Sequence, residues 1–461
     1  MMQAFSLAPS LSQPPETVLP GLPSRLVALL TQAAGADRLA LVGGAVRDLL
    51  RHQLHNDPWT GSPDLDLVVE GGESVAEPSA GGAAAASTGV LPAAHRLARC
   101  LRQRLDPDAV TFYQEHPAYG TVELEVRLPG GALLLDIATA RLETYPDPAR
   151  NPCVRFAQLE DDLARRDFTI NAMALVLCGA GAERCAPGVP AGFLDPYGGR
   201  DDLSRRRLRF LHPLSVRDDP TRVLRGARYA ARLGFELAQG SQAQLSATLA
   251  EWPWPWRPGD PPGSAPPSLG TRLRMELDLL LEREPWPLAL AALQRWGAMA
   301  LLDDALQADR HWQRRLRWAN RAGLPLLPAL LSAAADPVAL AERLQLPHRQ
   351  HRLLVGFVQL RLRLRELAGP GHARSPGWSG WRADQWTELL EEHGHGPEAV
   401  ALALAAAVGP RRPLLRWWLR WRHLDGTLTA AALLAEGMRP GPQLGELLRR
   451  SRRERLAGER C

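Results

Sequence analysis

Along the chain from about residue 38 to 180, short runs of strand-like apolar residues alternate with longer runs of helical period. Leu39 to Val42 (LALV), Asp64 to Val69 (DLDLVV), Thr121 to Leu128 (TVELEVRL) and Ala132 to Ala138 (ALLLDIA) are predicted strands. The break Leu128-Pro129-Gly130-Gly131 reads as a hairpin turn, which makes the last two strands antiparallel. A mixed sheet flanked by helices is the expected result. Beyond about residue 200 the pattern changes: long Leu/Ala/Arg segments with few β-branched residues, punctuated by Pro and Gly, predict an all-α region built on the mixed head. No repeat of fixed period is present. Residues 1 to about 22 are Pro-rich and aperiodic, a flexible lead. The Gly/Ala/Ser-rich stretch between Gly71 and Pro92 reads as a surface insertion, and Trp252 to Ser268 carries too much proline for helix or strand.

Composition narrows the class. With 461 residues, 45% hydrophobic and 23% charged, the chain has apolar mass for roughly three globular units. Its longest nearly pure apolar run, Ala399 to Val408, is far short of the roughly 20 residues of a membrane span. No basic start followed by an apolar core is seen at the N-terminus, so a cytoplasmic location is expected. The five cysteines, Cys100, Cys153, Cys178, Cys185 and Cys461, form no CxxC pair, which supports neither a disulfide framework nor a thiolate zinc site. Net charge is +5 and the sequence contains no lysine, so every basic contact except histidine's is an arginine fork, a shape that suits phosphate and stacks on bases. An anionic partner is expected.

Three constellations carry chemistry. In the first, Leu41-Val42-Gly43-Gly44-Ala45-Val46-Arg47-Asp48, a strand enters a glycine pair and then a helix, an arrangement that brings amide N–H groups close to an anion. Asp64 and Asp66 follow at i and i+2 of a strand, so both carboxylates leave one face roughly 6.6 Å apart at Cα. Two such acids suit a hard divalent cation, magnesium above all. Alone, the glycines also fit a plain turn and the acids an exposed strand end. The second constellation, Leu163 to Ala174, is predicted as a helical segment with Arg165 and Arg166 beside Asp167; a solvated, ion-paired helix face accounts for it equally well. In the third, Asp218 and Asp219 precede Pro220 at a helix start, and Arg222, Arg225 and Arg228 recur every three residues as one ridge. One acid and one guanidinium at this spacing can meet the Watson–Crick edges of cytosine and adenine and refuse uracil and guanine. A local Asp219–Arg222 ion pair or a generic phosphate ridge fits as well.

In order and spacing these segments resemble the class II CCA-adding tRNA nucleotidyltransferase and bacterial poly(A) polymerase family. The carrying residues are Gly-Gly-Ala-Val-Arg-Asp (43–48), Asp-Leu-Asp (64–66), Arg-Arg-Asp-Phe-Thr-Ile-Asn-Ala-Met (165–173) and Asp-Asp-Pro-Thr-Arg (218–222). Gly192 to Leu203 resembles that family's hinge, and Gly270 to Leu277 its last helical motif, so the match spans about residues 38 to 285. The resemblance implies an α+β fold: a polymerase-β-type nucleotidyltransferase head, a mixed sheet with helices, followed by an all-α neck, body and tail. It implies Mg2+ held by Asp64 and Asp66, the triphosphate met by Gly43, Gly44 and Arg47, and the nucleotide contacted by Arg166. Asp219 and Arg222 would template the base, Arg225 and Arg228 would support base and phosphates, and Asp136 on a neighbouring strand is the candidate third catalytic carboxylate. Two departures stand out: Asp218 where many members have Glu, and the Gly/Ala insertion after Glu70.

The expected division is a flexible segment (1–22), a head (23–185), a hinge and neck for base recognition (186–285) and a body and tail that bind tRNA (286–461). Arginine gathers near tryptophan in 310–321, 411–423 and 449–460, surfaces suited to the phosphates of an A-form stem. Trp417 and Trp421, at i and i+4, are expected in a helical core. None of the twelve histidines precedes an aspartate, so no HD-type phosphohydrolase domain is expected, and the His393/His395 and His348/His351 pairs have no clustered acid or cysteine to make a metal site. The implied activity is template-independent addition of C and/or A to the 3′ end of tRNA from CTP and ATP with release of pyrophosphate. Poly(A) synthesis and a non-catalytic RNA-binding protein that kept the fold are the alternatives. Neither a membrane nor a protein partner is expected.

Overall fold

A computed structural model describes residues 24–57, 64–71, 91–128, 131–182, 192–251, 254–257, 259–368, 378–392 and 395–459. The expected flexible lead, most of the Gly/Ala insertion, the two central hairpin-turn residues, Cys185, Cys461 and His393 lie outside this set. The chain forms two compact units, one ending at Pro255 and the other starting at Trp256.

In chain order the first unit contains α1 (Ser24–Ala34), β1 (Arg38–Val42), α2 (Gly44–His55), β2 (Asp64–Glu70), α3 (Ala93–Arg104), β3 (Val110–His116), β4 (Thr121–Leu128), β5 (Gly131–Thr139), β6 (Arg141–Thr144), β7 (Cys153–Phe156), α4 (Leu159–Ala164), β8 (Ala174–Cys178) and β9 (Phe193–Leu194). It continues with α5 (Gly199–Ser204), β10 (Arg207–Leu208), α6 (Ser215–Asp218), α7 (Thr221–Leu233), β11 (Glu236–Leu237) and α8 (Gln239–Glu251). Seven strands make one sheet in the order β3-β4-β5-β2-β1-β8-β9. Its β2–β5 pair is parallel and the others antiparallel, including the β4–β5 hairpin, where Leu128 faces Gly131.

Strand alternation explains why the sheet has one dry face. Val122, Leu124 and Val126 of β4, Leu133, Leu135 and Ile137 of β5, and Leu65, Leu67 and Val69 of β2 are buried, and α3 packs across these strands with Ala94, Leu97, Ala98 and Leu101. The other face is divided. At one end Val68, Ala40, Val42, Ala174 and Val176 close over Leu159 and Leu163 of α4. At the other end Asp64 and Asp66 remain exposed.

Two expectations need correction. Leu163 to Ala174 is not a helical segment: α4 stops at Ala164, Phe168 is extended, one 3-10 turn covers Thr169–Asn171, and β8 begins at Ala174. Side chains displace the helical ladder here, because Asp167 Oδ1 accepts from the Phe168 N–H and from Asn171 Nδ2. The proline-rich stretch does contain helix, as 3-10 turns at Pro262–Ser264 and Pro267–Leu269, in which proline sits at the first position.

In the second unit every regular element among the described residues is helical: α9 (Thr271–Arg283), α10 (Trp286–Arg295), α11 (Asp304–Ala308), α12 (Trp312–Arg321), α13 (Leu326–Leu331), α14 (Pro337–Arg343) and α15 (His348–Ala368) are followed by α16 (Ala383–Leu390), α17 (Pro397–Ala405), α18 (Arg411–Leu419), α19 (Ala430–Ala435) and α20 (Pro442–Ala457), with short 3-10 turns between. Trp417 and Trp421 are buried in it as expected. Arg315, inside one of the expected RNA-facing clusters, is instead a core residue: its Nε donates to Ala329 O at 2.7 Å and its Nη2 to Asp309 Oδ2 at 2.6 Å. Among the described residues, no helix is long and apolar enough to cross a membrane.

Candidate active site

Sheet register lines up the acids. Asp66 on β2 faces Asp136 on the parallel neighbour β5, and Asp136 in turn faces Glu123 on β4. Asp64 lies two residues before Asp66 on the same face, with Leu65 turned into the core. Protein mass around Asp66 raises its pKa, an effect countered by Arg166 and reinforced by Asp64. Asp136 is pushed up to about 6 by burial and then by the charges of Asp66, Glu123 and Asp64. These are oxygen donors repelling one another, the arrangement that a hard divalent cation relieves, and they fit such an ion. As the side chains stand, no group of three or more His, Cys, Asp or Glu among the described residues is drawn together as a metal site.

Opposite the acids lies the glycine turn. Gly43 has φ +70°, and a Cβ there would sit 2.7 Å from Asp66 Oδ2 and 3.1 Å from Arg166 Nη1. Only glycine both adopts this backbone and leaves the cleft between strand and helix open. Helix α2 starts at Gly44 beside this opening, and no side chain caps the N–H groups of its first turn. Arg166 bridges the acids and α4: its Nη2 donates to Asp162 Oδ2 at 3.0 Å. Asp162 has no exposed side-chain surface; burial alone would raise its pKa, but Arg166 and Arg165 hold it below the usual carboxylate range. Arg165 is committed elsewhere, to Asp162 and Glu143.

Arg47, expected on the triphosphate, is 5% exposed. Its Nε and Nη2 donate to both Asp48 oxygens and its Nη1 to Asn171 Oδ1, each at 2.9 Å. It joins α2 to the Asp167–Asn171 turn.

The third constellation lies on α6 and α7. Asp219 sits between these helices in extended backbone, and its Oδ1 accepts from the Thr221 N–H and from Thr221 Oγ1 at 2.6 Å. Arg222 is 2% exposed, so the expected ridge is broken at its first member, while Arg225 and Arg228 are half-buried. Its Nη2 donates to Arg165 O at 2.9 Å, its Nη1 lies 3.2 Å from His212 Nε2, and the guanidinium is 5.9 Å from the Tyr145 ring centre. Burial, then Arg222, depresses His212 to about 4, so its imidazole is neutral at pH 7 and accepts from the guanidinium. Arg225 pairs with Asp167 Oδ2 through Nε at 3.1 Å and Nη2 at 3.0 Å. Asp218 is raised by burial, with Arg222 and Arg217 opposing.

The segment 165–168 therefore touches both halves of the site: Arg166 reaches the Gly43/Asp66 cleft, while Arg165 O and Asp167 hold α7. Sequence reasoning missed His212, Tyr145 and Asp162. Asp162 had a readable signal, since an acid three and four residues before Arg165 and Arg166 meets both on one helical face. His212 and Tyr145 had none, because only folding brings them to Arg222.

A glycine turn facing paired carboxylates on a mixed sheet defines a nucleotidyltransferase head, and residues 39–209 match the family model described as Poly A polymerase head domain. The chain is 38% identical over 332 residues to a CC-adding tRNA nucleotidyltransferase of Deinococcus radiodurans, covering 70% of this chain and 72% of that one. It therefore belongs to the tRNA nucleotidyltransferase family. An A-adding tRNA nucleotidyltransferase of Aquifex aeolicus is 37% identical over 212 residues, 46% of this chain but only 20% of that much longer one. A solved CCA-adding enzyme in its apo form superposes with a TM-score of 0.64 over 97% of this chain and 96% of that one at 22% identity, a likeness of fold.

Proposed function

We propose that the protein adds C and/or A residues to the 3′ end of tRNA from CTP and ATP, releasing pyrophosphate, with Mg2+ as the divalent ion. The observation that carries this reading is the register of Asp66 against Asp136 opposite a glycine whose Cβ would collide with Asp66. Asp64 and Asp66 would hold the metal, whose chemistry is charge neutralisation on the triphosphate and activation of the attacking 3′-hydroxyl. Gly43, Gly44 and the first turn of α2 bind phosphate oxygens through N–H groups. Arg166 contacts the nucleotide. Asp136, with a pKa displaced toward neutrality, takes the proton of the RNA hydroxyl. Asp219 and Arg222 read the base after leaving their present partners, and Arg225 and Arg228 support it. The helical body and tail, residues 286–461, hold the tRNA through phosphate contacts. The head would span 23–185 and the neck 186–285, and the protein would act in the cytoplasm.

Within this reading, CC addition is favoured by the Deinococcus radiodurans relative, whose match runs over most of both chains. The test supplies CTP and ATP, singly and together, to tRNA ending at the discriminator base, after one C and after two. CC addition predicts two additions from CTP to the first substrate and none from ATP to the last. Full CCA addition predicts extension of all three. Long A runs on unstructured RNA would establish a poly(A) polymerase. Binding of tRNA without Mg2+-dependent incorporation, unchanged by Asp66→Ala, would overturn the catalytic reading.

A further inference from the structure

A line of polar groups runs through the interior of the first unit from α2 to α7. Asp48 accepts from Arg47 through both carboxylate oxygens, Arg47 Nη1 donates to Asn171 Oδ1 at 2.9 Å, Asn171 Nδ2 donates to Asp167 Oδ1 at 2.9 Å, and Asp167 Oδ2 accepts from Arg225 Nε and Nη2. The three central members are 5%, 6% and 3% exposed in chain-contact order Arg47, Asn171, Asp167. Asn171 sits between a cation that can only donate and a carboxylate that can only accept, so its amide orientation is forced. Its carboxamide supplies the acceptor and the donor on separate atoms without charge. Its loss takes the acceptor from Arg47 Nη1 and leaves Asp167 Oδ1 with the Phe168 N–H alone, and a buried donor left unsatisfied costs more than the bond itself contributed.

The ends of this line are the two halves of the proposed site. Arg47 lies one turn into α2, which starts at the glycine turn beside Asp66, and Arg225 lies one turn beyond Arg222 on α7. We infer that Asn171 is a positioning residue for base selection, tying the setting of the phosphate-side helix to that of the base-side helix without touching substrate. The inference rests on the reading of this site as a nucleotidyl-transfer centre. Apolar packing independently holds α7 to the 165–171 segment: Phe168 stacks on Phe210 at 5.0 Å and meets Tyr229 of α7 edge-on at 5.9 Å. Loosening the polar line therefore leaves α7 docked but less strictly aligned.

The test uses the full chain and tRNA lacking its 3′ CCA, with kcat/KM measured for CTP and UTP. Asn171→Ala is expected to lower the CTP-to-UTP ratio at least tenfold. Asp48→Asn, which weakens the α2 end of the line at a partly exposed position given no contact with substrate, is expected to lower it in the same direction and serves if the first variant does not fold. Asn171→Asp sets a second carboxylate against Asp167 and is expected to be worse than Asn171→Ala. Combining it with Asp167→Asn restores the order of donors and acceptors, at the loss of the bond from the Phe168 N–H and of the charge facing Arg225, and should recover part of the ratio over Asn171→Asp alone. A purely structural role would lower thermal stability and leave the ratio untouched. The inference is overturned if the wild type discriminates and folded variants stay within twofold of its ratio, or if the double variant recovers nothing. A wild type that incorporates no nucleotide overturns the underlying reading of the site as well.

Discussion

Gly43 has space for nothing larger than hydrogen, because the absent Cβ would sit 2.7 Å from a carboxylate oxygen of Asp66. Gly43→Ala is expected to remove at least about 99% of incorporation while costing about 1–3 kcal/mol of stability for the strained backbone and the displaced Asp66 carboxylate; a variant with full activity would separate the turn from the chemistry. Asp136 gives a prediction of opposite sign for activity and stability. Its folded pKa of about 6 lies above the ordinary 3.8, so the carboxyl is at ease when neutral: its contribution favours the fold below about pH 4 and is lost as pH rises through about 6. Asp136→Asn should therefore raise Tm at pH 8, with the gain vanishing near pH 4, while abolishing incorporation. The wild-type rate should fall as pH is lowered, because the ionised form takes the proton; thermal melts without added Mg2+ and pH–rate profiles check the two halves. At this scale the spacing of Asp64 and Asp66 was legible because a strand's period of two is local. The neutral state of His212 was not, since it depends on burial and then on Arg222 arriving from another element.

Helix α7 and the 165–171 segment form the element-scale link between the two halves of the site. Gly226 sits inside α7, where alanine would normally be favoured by about 1 kcal/mol of helix propensity. Its Cβ would lie 2.8 Å from Phe168 Cζ, and overpacking of this kind costs about 1–3 kcal/mol. Gly226→Ala should thus be destabilising on balance in urea unfolding, and a stabilised variant would show that Phe168 yields easily. Strands β2, β4 and β5 were recoverable from alternation or apolar runs bounded by turn residues. Edge strand β3 was not, because its half-exposed residues lack alternation. Strand β8 was not either: ALVLC is a short apolar run that helix and strand share, and its pairing with β1 decides the matter. The helical expectation for 163–174 failed because Asp167 and Asn171 satisfy backbone and each other through side chains.

For the whole molecule, arginine count is a poor guide to RNA contact. Arg314, Arg317 and Arg321 of α12 are exposed, whereas Arg315 between them is buried against two backbone carbonyls and Asp309. Replacing the three exposed residues by Gln should weaken tRNA binding and flatten its log–log salt dependence by roughly two, at about 0.7–0.9 per phosphate contact, leaving Tm within about a degree or two. Arg315→Gln should instead lower stability by about 2–4 kcal/mol through the stranded Asp309 and carbonyls, with an unchanged salt slope in whatever protein stays folded. Titrations across a salt series and chemical denaturation distinguish the two roles.

The linear chain by itself determined the acids' spacing, the glycine turn before a helix, the hairpin and the switch to an all-α second half, because each depends on neighbours within a few residues. Only tertiary structure decided that Asp136 stands beside Asp66, that Arg47 and Arg222 face inward, and that Asn171 joins two helices. Those outcomes come from strand order and burial, which bring together residues as many as 124 positions apart in sequence and set the desolvation that local pattern does not encode.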